Sequence, residues 1–386
     1  MTGDENPRKK KRRLLGIIFS LISIAVLTYI AIRLISGQEL GISRLTGLFK
    51  PRTPVAAADE YNFDVGGNRV FADLGGSLAA AGTFGVQVLD ISGAETLRDP
   101  FRMTSPAISA ATGRAVAFDI GGTAVRVFDE TRITASIEET GTVISASINQ
   151  NGWFCVCSQE RGAFRSIVTA YDNRGRDVYR VSLASDYAIS AILSPDNKRL
   201  TVLSLTGEGS RVAFYDLSSE ITGGIFDHPG GLILDIRYLT GGDVLAVTQE
   251  SLITIDAGGN GLGLYSFSGR RLGGYAQDGD LIALYLLDYG LGYSGRLVTL
   301  RENGEILGEL ASSREIISMS FSEGYLAVLR NEGLSFYGKE LDELTPREGS
   351  ASATGATYAV ALRDMAALAA GDHSAAVIRF ERSAGP

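Results

Sequence analysis

The sequence predicts an all-β fold, a multi-bladed β-propeller of eight blades with seven as the alternative, preceded by one transmembrane α-helix. Three observations predict it. Short alternating apolar runs recur about every forty residues beyond residue 59. Tight polar turns recur in phase with them. An uncharged apolar run of nineteen residues stands near the N-terminus, directly behind six basic residues.

The N-terminal region sets a direction. Arg8, Lys9, Lys10, Lys11, Arg12 and Arg13 form a basic tail, residues 1–13, of net charge +4. Residues 14–32, LLGIIFSLISIAVLTYIAI, hold no charged side chain. As a helix they would rise about 28 Å, close to the hydrocarbon thickness of a bilayer. The transmembrane helix is expected over 14–36, with Arg33 reaching back to the interface. The six basic residues are then topology determinants. They keep the tail cytoplasmic and place residues 59–386 outside, as the extracytoplasmic body of a single-pass cell-membrane protein. Small residues at 55–59, VAAAD, suggest a cleaved signal peptide instead. They lie far beyond the apolar run, which is also longer than a signal core of about 7–15 residues. Residues 37–58 read as a linker with no sustained period.

Charge and composition narrow the partners. The formal charge is −8, and with +4 on residues 1–13 and +2 on 14–50, residues 51–386 carry −14. An acidic body argues against nucleic acid, whose phosphates require a basic surface. Two cysteines make no disulfide framework. Gly at 47 residues against 9 Pro points to many turns between many strands.

The repeat is read from three recurrences. VQVLDISG (86–93), VRVFDETR (125–132), VTAYDNRG (168–175) and VAFYDLSS (212–219) each alternate and end in Asp at a turn. Weaker copies follow at 262–269, 297–304, 334–341 and 375–382. A small-residue triplet heads each unit: Ile108-Ser109-Ala110, Ile144-Ser145-Ala146 and Ile189-Ser190-Ala191, with relatives at 234–236, 282–284, 317–319 and 358–360. Between them lies a first hairpin turn, SPDNKRL at 194–200, with counterparts at 149–155, 239–245 and 322–326. Units are expected to begin near 68, 106, 143, 187, 231, 281, 315 and 357. The fifth is expected to be long, with an extra segment at 251–259. The last is expected to have three strands and to borrow its outer strand from YNFDVGG (61–67), which would close the ring.

The 168–181 and 194–200 patterns resemble WD40-like and quinoprotein-like propellers. With the basic tail and the single span, the chain resembles a family of membrane-anchored bacterial propellers of unknown function. The tryptophan docking pattern of quinoprotein propellers is absent, since Trp153 is the only Trp, and so is the His and Trp-Asp signature of WD40 repeats. The resemblance therefore implies a fold and brings no catalytic residues.

Candidate chemistry is sparse. AFDIGGTAVRVFDE (117–130) resembles the phosphate loop of actin-like sugar kinases, but it also reads as the second hairpin of the second repeat, in a chain lacking the long helices of that fold. GGNGLG (258–263) matches a dinucleotide pattern without a βαβ context and reads as a flexible insertion. Cys155 and Cys157 share one face of a strand and read as core residues. His228 is expected in a loop between units and His373 in a late hairpin turn. Asp235 falls in the slot held elsewhere by Ser109, Ser145 and Ser190, so Asp235 and Arg237 are the binding candidates, facing the central channel. No catalytic residue, metal ligand or cofactor is assigned. The expected function is a non-enzymatic protein-binding or scaffold module of the cell envelope. Its partners would be the bilayer, through residues 14–36, and envelope or secreted proteins. The alternative is a propeller hydrolase or lyase using channel carboxylates and Ca²⁺.

Overall fold

The computed structural model describes residues 60–381, apart from positions 91, 161, 220, 221, 291, 347–352, 354, 363 and 364. The basic tail, the expected membrane helix and the linker lie outside the described residues. Within the described residues every regular element is a strand, and no helix is long and apolar enough to cross a membrane.

The strands form an all-β propeller. Six antiparallel four-stranded sheets follow one another along the chain, spanning residues 70–100, 106–138, 142–183, 187–229, 233–266 and 271–312. They are called sheets 1 to 6, with strands a to d in chain order. An eight-stranded sheet follows, built from residues 318–346 and 358–381 together with strand Glu60–Asn62. In that sheet Glu60–Asn62 pairs antiparallel with Ser374–Glu381, Tyr61 opposite Ala375, so the start of the body closes against its end. The a strands of most neighbouring sheets touch one another, and strand Val70–Asp73 also meets Tyr358–Leu362, which joins the first unit to the last.

The sequence explains these elements locally. The b strands are buried on both faces, as in Leu245, Ala246 and Val247 of sheet 5 or Leu281–Leu287 of sheet 6. Such strands read as continuous apolar runs because neighbouring sheets cover them on both sides. The d strands alternate between exposed and half-buried positions, as an outer strand should. Between sheets, hydrophobic clusters interlock; Cys155, Val168 and Val181 of sheet 3 pack with Ala191, Leu200 and Val202 of sheet 4. Polar side chains stitch the same seams. Ser147 Oγ donates to the Ala191 carbonyl at 2.7 Å and Thr299 Oγ1 to the Lys339 carbonyl at 2.6 Å.

Each recurring Asp caps the turn between strands c and d. Asp172 Oδ1 accepts the Arg174 and Arg176 amides at 2.9 and 3.0 Å, and Asp90, Asp129, Asp216 and Asp256 make equivalent bonds. An Asx turn of this kind satisfies backbone donors that the turn would otherwise strand.

The middle of the chain differs from the expected register. Sheet 5 has only four strands, and segment 251–259 is its strand c, Ser251–Ile255, with the Asp256 turn. Strand d is Gly261–Ser266, so LGLYSFSG is not a copy of strand c. Sheet 6 begins at Arg271 rather than near 281, and triplet 282–284 lies in its strand b. The cause is Gly at positions 261, 263, 273 and 274, which breaks the apolar alternation of two successive strands. GGNGLG is likewise no flexible insertion. Its first glycines form a tight turn pressed on sheet 4, where a Cβ on Gly259 would meet the Ile225 carbonyl oxygen at 2.5 Å.

Candidate binding rim and channel cluster

Antiparallel order gives the wheel two unlike rims. The b–c turns and the connectors leading into each strand a lie on one side, called the upper rim. The a–b and c–d turns lie on the lower rim. Most large exposed hydrophobic side chains of the described residues stand on one rim, nine of thirteen. The nine are Phe84, Ile120, Phe164, Tyr187, Leu232, Leu234, Tyr289, Tyr293 and Ile317 on the upper rim; Ile225 lies within a d strand, and Val178, Leu262 and Ile306 open d strands at their lower-rim ends. Tyr289 is 81% exposed and Phe84 64%. Apolar groups gathered on one face mark a contact surface, whereas scattered single ones are ordinary.

Tyr289 and Tyr293 both stand on the b–c turn of sheet 6. Tyr285, buried beneath it, donates to the Tyr293 carbonyl at 2.8 Å and lies 3.1 Å from the Arg314 carbonyl. Beside the loop is a cleft of about 440 Å³ lined by Asp288, Ser294, Arg296, Glu309 and Ser312. Its charges are engaged with one another or nearby: Arg296 with Glu309 at 2.6 Å, and Asp288 with Arg270 at 2.9 Å.

The channel candidates are brought together. Asp235 follows a register shift in sheet 5, at the position that Ser145 and Ser190 take after the same shift in sheets 3 and 4. Its Oδ1 accepts the Ile236 amide at 2.8 Å. Its Oδ2 pairs with Arg237 at 3.0 Å and accepts the Tyr275 hydroxyl. The Arg237 side chain is about half exposed, and partial loss of water works against its charge, but Asp235 and Tyr275 outweigh that and raise the guanidinium pKa. Burial also raises the Tyr275 pKa. The carboxylate is therefore committed to its own cluster, which links sheet 5 to sheet 6. Sequence reasoning missed Tyr275 because it began sheet 6 ten residues late. The signal was Asp256, forty residues after Asp216, which fixes where the next strand a must start.

The remaining motifs resolve into scaffold. Asp119 is buried and its Oδ1 accepts the Thr104 and Ser105 amides at 2.8 and 2.7 Å. The glycine amides that would cradle phosphate are spent, Gly121 on the Val143 carbonyl and Gly122 on the Asp119 carbonyl. Cys155 and Cys157 are free and buried, and burial pushes the Cys157 thiol up to about 12. His228 lies within strand Thr222–Pro229 and not in a loop, with its ring 6.3 Å from that of Phe226. Among the described residues no three His, Cys, Asp or Glu side chains gather as a metal site would need.

Fold and rim together define a β-propeller whose large exposed apolar side chains gather mainly on one rim. Residues 53–339 match the model of a family of unknown function, DUF5711, and the chain belongs to that family. Comparison with curated proteins finds no match. Among solved structures the chain is similar to the C-terminal WD40 domain of Sif2, at 12% identity over 83% of this chain and 99% of that one, with a TM-score of 0.56. It is also similar to Sqt1 of Saccharomyces cerevisiae, at 11% identity over 84% of this chain and 98% of that one, with a TM-score of 0.55. Likeness at this identity establishes the fold.

Proposed function

We propose that the protein is a single-pass membrane protein of a bacterial envelope whose extracytoplasmic propeller is a non-enzymatic protein-binding or scaffold module. The eight-stranded sheet counts as two blades, with Glu60–Asn62 as the outer strand of the last, which makes eight. The upper rim is the docking face. The observation that carries this reading is that nine of the thirteen large exposed hydrophobic side chains, and every exposed aromatic one among the described residues, stand on that rim. Rigid sheets supporting variable loops suit recognition, and WD40-type neighbours are consistent with protein partners. The membrane placement rests on residues 8–36 alone.

The test is site-specific crosslinking in intact cells from Phe84 and Tyr289 on the upper rim and from Lys339 on the lower. Recovery of the same protein from both upper positions, and not from Lys339, supports the reading. Equal recovery from all three sites counts against it.

A further inference from the structure

We propose that strand Gly261–Ser266, the outer strand of sheet 5, receives an extended strand from another protein, which adds to that sheet as a fifth. An outer strand presents unpaired backbone N–H and C=O groups, and folded proteins blunt such edges with charge or proline. The outer strands of this wheel follow that rule with one exception. Glu95, Arg98 and Asp99 guard sheet 1, Glu138 sheet 2, and Asp177 and Arg180 sheet 3. Asp227 and Pro229 guard sheet 4 and Glu309 sheet 6, while Glu343–Pro346 pairs on its far side with Ser374–Glu381 and is no open edge. Gly261–Ser266, GLGLYS, has neither a charge nor a proline. Gly259 to Gly269 is uncharged throughout.

The edge is also open. The strand ends its sheet, and its backbone pairs only with Ser251–Ile255 among the described residues. Gly263 is exposed and a Cβ on it would meet nothing, and Leu262 is 75% exposed, whereas Gly261 lies on the Phe226 ring and Leu264 beside the turn at Gly304. Leu262 and Leu264 lie on one face of the strand, so an incoming strand would place an apolar side chain beside Leu262. A second copy is the less suitable occupant, because residues 51–386 carry −14 and two such bodies repel. The fitting partner is an uncharged or cationic extended segment, apolar at alternate positions. This inference rests on the protein-binding reading above and names a second contact for it.

The test is amide hydrogen exchange on the full chain, in its own membrane vesicles and after purification in detergent. The peptide covering 261–266 is read beside those covering 177–183 and 306–312. The expected result is exchange at 261–266 slowed about tenfold or more in the vesicles, with the other two unchanged. L262K should abolish the slowing at an unchanged thermal midpoint, while L262S should keep most of it. Equal exchange in both preparations overturns the proposal. L262S losing the slowing as fully as L262K also overturns it, since a side-chain patch rather than a ladder is then covered. So does slowing that persists in purified protein as a concentration-dependent dimer, since the occupant is then a second copy. Slowing at 288–294 alone retains rim docking and removes only the strand site; slowing at neither removes both.

Discussion

Glu139 is a carboxylate placed where its charge is disfavoured. It is buried, its Oε1 accepts the Tyr171 hydroxyl at 2.8 Å, and burial raises its pKa above 4.5 despite that bond and nearby Arg180, with Glu160 adding to the rise. A folded pKa above the unfolded one means that the native state holds the proton more tightly. The stabilisation is whole below about pH 4.5 and is lost as pH rises through the folded value. Glu139→Gln keeps an acceptor for Tyr171 and removes the charge. Thermal unfolding should show the variant more stable than the parent at pH 7 and equal to it below pH 4.5. An equal or lower midpoint at pH 7 would refute the assignment. Glu139 was not legible in the sequence, because its burial comes from a neighbouring strand c that brings Tyr171 over it.

At the scale of the element, the Asp-capped turn is the unit that repeats. Burial opposes the Asp172 charge, but amides of Arg176 and Arg174 and the Arg176 guanidinium outweigh it and lower its pKa. Asp172→Ala should cost about 1–3 kcal/mol in urea unfolding, because two turn amides lose their acceptor. A depressed carboxylate gives stability that is present above about pH 3.8 and lost as pH falls through the folded value, so this deficit should shrink in acid. Gly259 has φ +83 and faces Ile225. Gly259→Ala should destabilise by at least about 1–2 kcal/mol from the left-handed backbone alone; an unchanged urea midpoint would contradict the close packing of that turn on sheet 4. The turns were the most readable feature of the sequence, since Asp and Gly act through local geometry. Strand alternation was readable only where side chains supply it. In sheets 5 and 6 glycine removes the pattern at positions 261, 263, 273 and 274, and both the register and Tyr275 were lost with it.

For the whole molecule, closure and sidedness are the properties that matter. Glu60–Asn62 covers the open edge of Ser374–Glu381. Replacing those three residues with Gly-Pro-Gly should lower the urea midpoint and produce concentration-dependent association, as an uncovered edge finds another chain; a monomer of unchanged midpoint would show that closure is dispensable. The ring as a class could be read from the spacing of the repeats. The apolar rim could not, because Phe84, Ile120 and Tyr289 lie far apart in the chain and become one surface only when successive turns align. The Asp235–Arg237 pair was found by register, yet its engagement with Tyr275 depends on a strand from the next sheet.

The central claim is that the propeller lies outside the membrane with its apolar rim covered by protein. A membrane-impermeant maleimide tests it most directly, on intact cells expressing Lys339→Cys or Tyr289→Cys, with purified protein as the reference. Cys155 and Cys157 are each 1% exposed, so the background is low. The account predicts that Lys339→Cys labels as fast on cells as in the purified protein while Tyr289→Cys labels much more slowly on cells. Labelling of Lys339→Cys only after permeabilisation, or equal rates at Tyr289→Cys in both preparations, would contradict it.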